Sequence, residues 1–338
     1  YNLYQGEQAC ESRHLLTEVL RDEWSFQGFT ISDFIFGVRD TVKAIEAGLD
    51  VEMPLPLHYQ HKLLRAVQEG RVDAKLVDQA VLRVLRTLLA FEHTPDPMSY
   101  TEELVAHPDH VALAREAAES SMVLVRNEGT CLPFDRDVKQ VLVLGALAAI
   151  ENTGDHGSSW VRPPYVVTPL EGIRSYLGAS VEVLHLDETQ VDRAATLAAE
   201  VDCVIAVAGY DYHDEGEYVS PGGQQDFVQP VVEGYRNRGK RLQAALLRWM
   251  SQQQAGRIKA QESFDVGGDR QSLSLKPEQA ALIQAVTGVN PKTVVCLVCG
   301  SMVMVDAWAD GVPAILYAWY AGMEGGHALA RVLFGEVN

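Results

Sequence analysis

Short apolar segments alternate with amphipathic helical segments along most of this 338-residue chain. In the second part, strands are predicted near 121–125, 140–145, 181–185, 202–208, 293–298 and 314–318, and helices near 109–121, 168–176, 190–200, 276–287 and 323–333. Apolar strands that alternate with helices are typical of a mainly parallel sheet covered by helices on both faces. We therefore expect residues 109–338 to form an α/β sandwich domain.

The first 91 residues show the same alternation on a smaller scale. Helices are predicted over 9–23, 38–47, 58–69 and 73–91, and strands over 28–32 and 49–53. The first of these strands ends at Asp33, and the second is stopped by Pro54. This order is typical of the closing units of a parallel α/β structure. The polar, proline-containing stretch 92–108 is predicted to be a linker between domains 1–91 and 109–338.

Residues 219–267 differ in composition from their surroundings. They contain Pro221-Gly222-Gly223 and a basic cluster within 236–241, and they lie between a predicted strand and the next predicted helix. We interpret them as an insertion in a loop, and insertions of this length are commonly functional. The basic cluster is interpreted as a solvated face rather than a phosphate site.

Composition narrows the classes of partner. The formal net charge of −18 disfavours nucleic acid, because the phosphate backbone is itself negative. No run approaches the ~18 apolar residues of a transmembrane helix, so no membrane association is expected. We expect no cofactor and no metal. The chain begins at Tyr1 rather than methionine, so its start is expected not to be the natural one. The sparse cysteines slightly favour a cytoplasmic location.

Five cysteines form a sparse, odd set that does not resemble a disulfide framework. Cys296 and Cys299 have C-x-x-C spacing, but they lie within an apolar run that is predicted to be a strand. No second cysteine or histidine pair follows at the spacing of a zinc site. We interpret both residues as core packing.

Two carboxylate-bearing segments follow predicted strands. Asp33 lies at the end of strand 28–32, and the carboxyl ends of parallel barrel strands are where active sites form. The alternative interpretation is that Asp33 is the N-cap of a helix over residues 36–46. From spacing alone, both interpretations stay open.

The second acidic segment, Tyr212 to Tyr218, directly follows strand 202–208. Its three acids are Asp214, Glu215 and Glu217. Crowded carboxylates raise one another's pKa, which suits a proton donor near neutral pH. A solvated acidic loop is the alternative, and His213 also allows a metal site, although no second cluster supports one.

Several separated motifs resemble glycoside hydrolase family 3, in the order in which that family has them. Residues 1–54 resemble the last third of its catalytic barrel, through Tyr1-Asn2, the segment 15–24, Gly28-Phe-Thr-Ile-Ser-Asp33 and Ala47-Gly-Leu-Asp-Val-Glu-Met-Pro54. Segments 114–118, 122–128, 166–172, 267–270, 318–326 and 333–338 resemble its second domain. The resemblance implies that the chain contains the C-terminal part of a (β/α)8-type barrel followed by the α/β sandwich.

The resemblance also implies residue roles in a retaining mechanism. Asp33 would be the nucleophile, and Glu215, with Glu217 as the alternative, would be the general acid/base. Tyr1 would border the nucleophile and donate a hydrogen bond to Asp33. Phe34 stands where the family more often has tryptophan, so it would stack on the sugar without an indole donor, or else serve as a packing residue.

The sequence departs from the family pattern at the acidic loop. The acid/base phrase is usually followed within a few residues by an Asp-Arg pair, whereas here the insertion separates Glu215 from Asp269-Arg270. Glu262 and Asp265 are therefore fallback candidates for the acid/base.

The resemblance implies an exo-β-glycosidase, in first place a β-glucosidase that acts on a small carbohydrate. A β-xylosidase or another exo-β-glycosidase of the family is the alternative. The family's β-N-acetylhexosaminidase branch is disfavoured by the acidic loop in a second domain. A non-catalytic carbohydrate-binding protein on the same fold also stays open. The sequence leaves the exact sugar and the oligomeric state undetermined.

Only about the last two of the family's eight barrel strands fall within these residues, so the 338-residue chain alone would expose a sheet edge and apolar surface. We expect this chain, expressed alone, to be poorly soluble and inactive. The measurement is the soluble fraction after expression, together with turnover of an aryl β-glucoside. Soluble protein that hydrolyses the glucoside would contradict the expectation.

Overall fold

The computed structural model describes residues 1–96, 100–217 and 270–338, with Ala245, Trp249 and Gly268 as single residues between them. The chain divides into two compact units. Unit 1 comprises Tyr1–Ser99 with Gly222–Ala260, and unit 2 comprises Tyr100–Pro221 with Gln261–Asn338. The linker over 92–108 stays a prediction, and the insertion 219–267 lies almost wholly outside the described residues.

Unit 1 is mainly helical in its described part. Its elements are the strands β1 (Leu3–Tyr4) and β2 (Glu7–Gln8), a 3-10 turn (Ala9–Glu11), a π-helix (His14–Glu23), α1 (Thr41–Ala47), α2 (His61–Gln68) and α3 (Ala74–His93). Asp40 and Asp73 cap α1 and α3 by accepting hydrogen bonds from first-turn amides. Apolar residues of α1, α2 and α3, including Ala44, Leu63 and Ala80, form its core.

The predicted strands over 28–32 and 49–53 are reduced to one parallel bridge between Ile31 and Val51. Ser32 N–H donates to the carbonyl of Val51 at 2.9 Å, and Val51 N–H donates to that of Thr30 at 3.1 Å. Within the described part of unit 1, residues 28–32 pair only with residues 49–53. This pairing is too short to form two regular strands. The predicted helix 9–23 likewise forms a 3-10 turn and a π-helix instead of one α-helix.

A buried carboxylate links the elements around this bridge. The Asp50 side chain is fully buried and forms ion pairs with Arg21 and Arg83, each at 2.7 Å. It also accepts the amide hydrogen of Thr30 at 2.8 Å. Burial, followed by the charge of Arg83, lowers the pKa of Arg21, and the charge of Asp50 opposes this. The buried carboxylate of Asp50 therefore connects the π-helix, α3 and both bridge segments.

Unit 2 contains a six-stranded sheet in the order β3-β8-β7-β6-β4-β5. The strands are β3 (Val123–Asn127), β4 (Gln140–Leu144), β5 (Glu182–Leu186), β6 (Cys203–Gly209), β7 (Thr293–Val298) and β8 (Ala314–Tyr317). All neighbours are parallel except β3, which pairs antiparallel with β8 at the edge. This confirms the predicted α/β class with a mainly parallel sheet.

Helices cover both faces of this sheet. They are α4 (Pro108–Ser121), α5 (Pro169–Leu177), α6 (Val191–Ala198), the single turn α7 (Tyr212–Glu215), α8 (Pro277–Thr287) and α9 (Gly325–Leu333). Alternate strand residues face opposite ways. Ile205 packs with residues of α5 and α9, whereas Val204 packs with residues of α6 and α8. The apolar runs thus read as strands because both of their faces are covered.

The core interpretation of Cys296 and Cys299 is confirmed. Both side chains are fully buried, and neither forms a disulfide. Burial raises the pKa of Cys299 to about 11, so its thiol stays protonated at neutral pH. Among the described helices, none is both long and apolar enough to cross a membrane.

We expect Asp50→Asn to lower the free energy of unfolding of the full-length protein by about 3 kcal/mol, because Arg21 and Arg83 would lose their shared counter-charge in a buried position. Urea unfolding measures this change. The matched control is Glu69→Gln, which breaks an exposed ion pair with Arg71 and should cost less than ~1 kcal/mol. Equal effects of the two substitutions would contradict a structural role for Asp50.

Candidate active site

Asp33 lies two residues beyond the parallel bridge of unit 1, and its side chain is about half exposed (49%). Its Oδ1 accepts the amide hydrogen of Phe34 at 2.7 Å. Its neighbour Ser32 is buried, accepts the amide hydrogen of Met53 at 2.9 Å and donates to the carbonyl of Asp33 at 2.8 Å. The backbone at Asp33 is thus fixed from the side of Met53, while the carboxylate remains accessible.

The alternative that Asp33 caps the following helix is wrong. Helix α1 begins at Thr41, and its N-cap is Asp40, which accepts the amide hydrogens of Val42 and Lys43 at 2.8 and 2.9 Å. The amide of Lys43 is the largest influence that lowers the pKa of Asp40. Since Asp40 performs the capping, the carboxylate of Asp33 has no helix to cap.

Tyr1 and Phe34 lie beside Asp33, with one difference from expectation. The hydroxyl of Tyr1 donates to the backbone carbonyl of Phe34 at 2.9 Å, whereas a hydrogen bond to the Asp33 carboxylate was expected. Phe34 is 52% exposed, so its ring is available at the surface of these residues, and its role stays a prediction.

The chain immediately after Asp33 has an unusual backbone. Ile35 has φ of 60°, a left-handed conformation that is costly for a β-branched residue. Its amide donates to the carbonyl of Met53 at 3.0 Å. A Cβ on Gly37 would lie 2.8 Å from the Asp33 carbonyl oxygen. Such strain is often found at functional sites, and here it shapes the turn that presents Asp33.

In unit 2, the carboxylate of Glu215 is almost enclosed by donors. Its Oε2 accepts the amide hydrogen of Gly300 at 2.6 Å and the hydroxyl of Tyr320 at 2.5 Å. Its Oε1 lies 3.1 Å from Nε of Arg270, and the Glu215 side chain is 11% exposed. Burial, then the hydrogen bond to Glu215, raises the pKa of Tyr320 far above its ordinary value, so its hydroxyl remains a donor.

Glu217 is more accessible than Glu215. It is an exposed residue whose Oε2 accepts the amide hydrogen of Ser158 at 2.6 Å. Its own amide donates to Oδ1 of Asp155 at 2.7 Å. A Cβ on Gly157 would lie 2.6 Å from both Cβ and Oε2 of Glu217. The side chain of Glu217 therefore lies directly on the loop that contains Gly157.

The other acids of this loop have structural contacts. Asp211 caps α7 and lies 2.9 Å from Nδ1 of His213, and Asp214 accepts from Lys276 at 2.7 Å. No group of side chains suited to a metal ion occurs among the described residues. The fallback candidates Glu262 and Asp265 lie outside the described residues.

Sequence reasoning missed the residues that hold Glu215. Gly300 follows β7, which lies next to β6, and Tyr320 follows β8, which lies next to β7, so both residues lie beyond the carboxyl ends of parallel strands. In open α/β sheets, ligand and site residues gather at that edge. The rule would have pointed to these loops, although not to Tyr320 in particular.

Two family models match the chain. Residues 122–338 match the glycosyl hydrolase family 3 C-terminal domain, and residues 1–87 match the glycosyl hydrolase family 3 N-terminal domain. The chain belongs to glycosyl hydrolase family 3. The resemblance seen in the sequence motifs is thereby confirmed for both parts of the chain.

Relatives with named activities match over the whole chain. A thermostable β-glucosidase B of Acetivibrio thermocellus is 30% identical and an exo-α-(1→6)-L-arabinopyranosidase of Bifidobacterium breve is 25% identical. The solved structure of a GH3 β-glucosidase of Bifidobacterium adolescentis is similar with a TM-score of 0.71 and 26% identity. The chain spans 39%, 40% and 43% of these three proteins, respectively.

We expect Gly157→Ala to displace the side chain of Glu217, because the added methyl group would overlap its Cβ and Oε2. Overpacking of this kind costs about 1–3 kcal/mol. Faster hydrogen exchange at the Ser158 amide, together with a lower Tm, would report the displacement. Gly288→Ala is the matched control, since a Cβ there meets nothing within 4 Å. Identical behaviour of the two variants would contradict the close contact.

Proposed function

We propose that the full-length protein is a retaining exo-β-glycosidase, and most specifically a β-glucosidase. The observation that carries this proposal is the exposed Asp33 carboxylate on a strained turn, within a chain that matches both family 3 domains. The relatives named β-glucosidase support the sugar assignment. The chain spans less than half of their length, so the activity belongs to the longer protein.

In this proposal Asp33 is the nucleophile. One Oδ of its carboxylate attacks the anomeric carbon, and the bond from that carbon to the leaving oxygen breaks. This role needs an ionised, accessible carboxylate, and the half-exposed Asp33 meets the requirement of access. The hydrogen bond from the Phe34 amide orients Oδ1, and Oδ2 lies 3.7 Å from the backbone nitrogen of Tyr1.

Glu217 fits the role of proton donor better than Glu215. A donor must give its proton to the leaving oxygen and later take one from water, so its carboxyl group has to reach the substrate. Both oxygens of Glu215 already accept hydrogen bonds or face Arg270, so the carboxyl group has little access to a substrate. Glu217 is exposed, and its Oε2 accepts the amide hydrogen of Ser158 at 2.6 Å.

Phe34 and Tyr1 lie beside the proposed nucleophile. Phe34 offers an exposed ring next to Asp33, and an aromatic face stacks on the apolar face of a sugar. Tyr1 acts on the backbone, because its hydroxyl holds the carbonyl of Phe34. We therefore assign substrate contact to Phe34 and support of the turn to Tyr1.

A second sugar is favoured by one observation. The relative from Bifidobacterium breve carries the name exo-α-(1→6)-L-arabinopyranosidase at 25% identity. Parallel rates on aryl β-glucoside, β-xyloside and α-L-arabinopyranoside would rank these substrates. A preference for the arabinopyranoside or the xyloside would correct the sugar and keep the exo-glycosidase assignment.

We expect a 2-deoxy-2-fluoroglucoside with a good leaving group to label Asp33 covalently in the full-length protein, because the fluorine slows both steps while the good leaving group keeps formation of the glycosyl-enzyme faster than its release. Mass spectrometry of peptides locates the adduct. Asp33→Asn should lose activity by a factor on the order of 10⁴. Asp22→Asn, which alters an exposed carboxylate in the same unit, serves as control. Sugar binding without any adduct would favour a non-catalytic binding protein.

A further inference from the structure

Glu215 lies at the centre of a compact cluster in unit 2. Its partners come from the segments after β7 and β8 and from Arg270, which precedes α8. Glu215 and Arg270 are 11% and 10% exposed, so water competes little for this ion pair. Four donors are directed at this one carboxylate, and they belong to Gly300, Ser301, Tyr320 and Arg270.

We propose that Glu215 is a positioning residue that clamps the segment Tyr212–Glu217, so that the neighbouring Glu217 is held in place as the proton donor. This inference rests on the proposed glycosidase function. The resemblance alone had made Glu215 the first candidate for the proton donor, whereas the proposal gives it a positioning role.

The partners of Glu215 are themselves fixed. Arg270 donates to the carbonyl of Met302 at 3.0 Å and to the hydroxyl of Ser301, and its guanidinium lies 4.5 Å from the ring centroid of Tyr210. Burial lowers the pKa of Arg270, but its hydrogen bond with Tyr210 and the charge of Glu215 outweigh this and leave the pKa raised. Arg270 is therefore a rigid, permanently charged partner.

The ring of Tyr320 lies against the backbone of two glycines. A Cβ on Gly154 would lie 3.2 Å from the ring, and a Cβ on Gly300 would lie 3.3 Å from it. Both glycines thus allow the ring to pack close to the backbone. The ring of Tyr320 also packs against the apolar core of the sheet, and its hydroxyl donates to Oε2 of Glu215.

Only a carboxylate satisfies this cluster. Oε2 accepts from Gly300 and Tyr320, while Oε1 faces Arg270. Glutamine has one oxygen and one NH₂ group, so either orientation places a donor against a donor. Glu215→Gln keeps the size of the side chain but removes half of its acceptor capacity and its charge. It therefore tests the clamp with little change in volume.

The clamp acts on Glu217 through a short covalent connection. Glu217 follows Glu215 by two residues, and its amide is held by Asp155 at 2.7 Å. Loss of the Glu215 contacts would leave Glu217 attached at one side only. Misplacement of a proton donor slows the reactions that need a proton in the transition state and spares those that do not.

The test compares two β-glucosides in the full-length enzyme. For Glu215→Gln we expect kcat/KM for cellobiose, whose leaving group needs a proton, to fall about 10²-fold. For 2,4-dinitrophenyl β-glucoside, whose leaving group needs none, kcat/KM should stay within about threefold. Tyr320→Phe should show the same pattern at about tenfold, since it removes one hydrogen bond to a charged group. The matched control Asp135→Asn breaks an exposed ion pair with Lys292 away from this segment in unit 2 and should change neither value.

Azide distinguishes positioning from proton donation. It should raise the turnover of Glu217→Ala and yield β-glucosyl azide, because a small anion can enter the space left by the donor, and it should not rescue Glu215→Ala. The reverse pattern would overturn the inference, because it would identify Glu215 as the donor while the glycosidase function stands. Equal losses on both glucosides in Glu215→Gln and Tyr320→Phe would also overturn it. Absence of both hydrolysis and Asp33 labelling in the wild type would instead contradict the proposed function.

Discussion

The buried charge of Asp50 organises the part of unit 1 on which Asp33 depends. Two arginines from distant helices, Arg21 and Arg83, meet at this carboxylate. Asp50 also holds the amide of Thr30, three residues before the proposed nucleophile. The pairing between the two bridge segments is short, so these charged contacts supply what a longer ladder would otherwise provide. A polar interaction therefore fixes the backbone that leads to Asp33.

In unit 2, the buried sheet instead positions the loops that contact Glu215. Its parallel strands β6 and β7 are buried along their whole length, and the residues that bind Glu215 follow β7 and β8. The apolar sheet sets the spacing of the loops, and a few charge-assisted hydrogen bonds then fix their tips. Rigid strands and locked loop ends together give the acidic segment a defined position, which catalysis requires.

The sequence predicts the sheet of unit 2 well, because each buried strand appears as a continuous apolar run such as 203–209. The strands of unit 1 are predicted less well, since pairing depends on partners that a single segment does not reveal. Whether Asp33 caps a helix is decided by Asp40, seven residues further on. Glu215 and Glu217 look alike in sequence. Their difference comes from Gly300 and Tyr320, which are remote along the chain and meet Glu215 only through the fold.

The ion pair between Glu215 and Arg270 joins the two ends of the long intervening segment at 3.1 Å. A segment whose ends are fixed together can gain or lose residues at small entropic cost, because closure depends only weakly on length. Evolution can therefore vary this stretch without moving the chain on either side of it. For the protein engineer, the same pair marks a graft point: the stretch after Glu217 could be exchanged while Glu217 and the surrounding scaffold are retained.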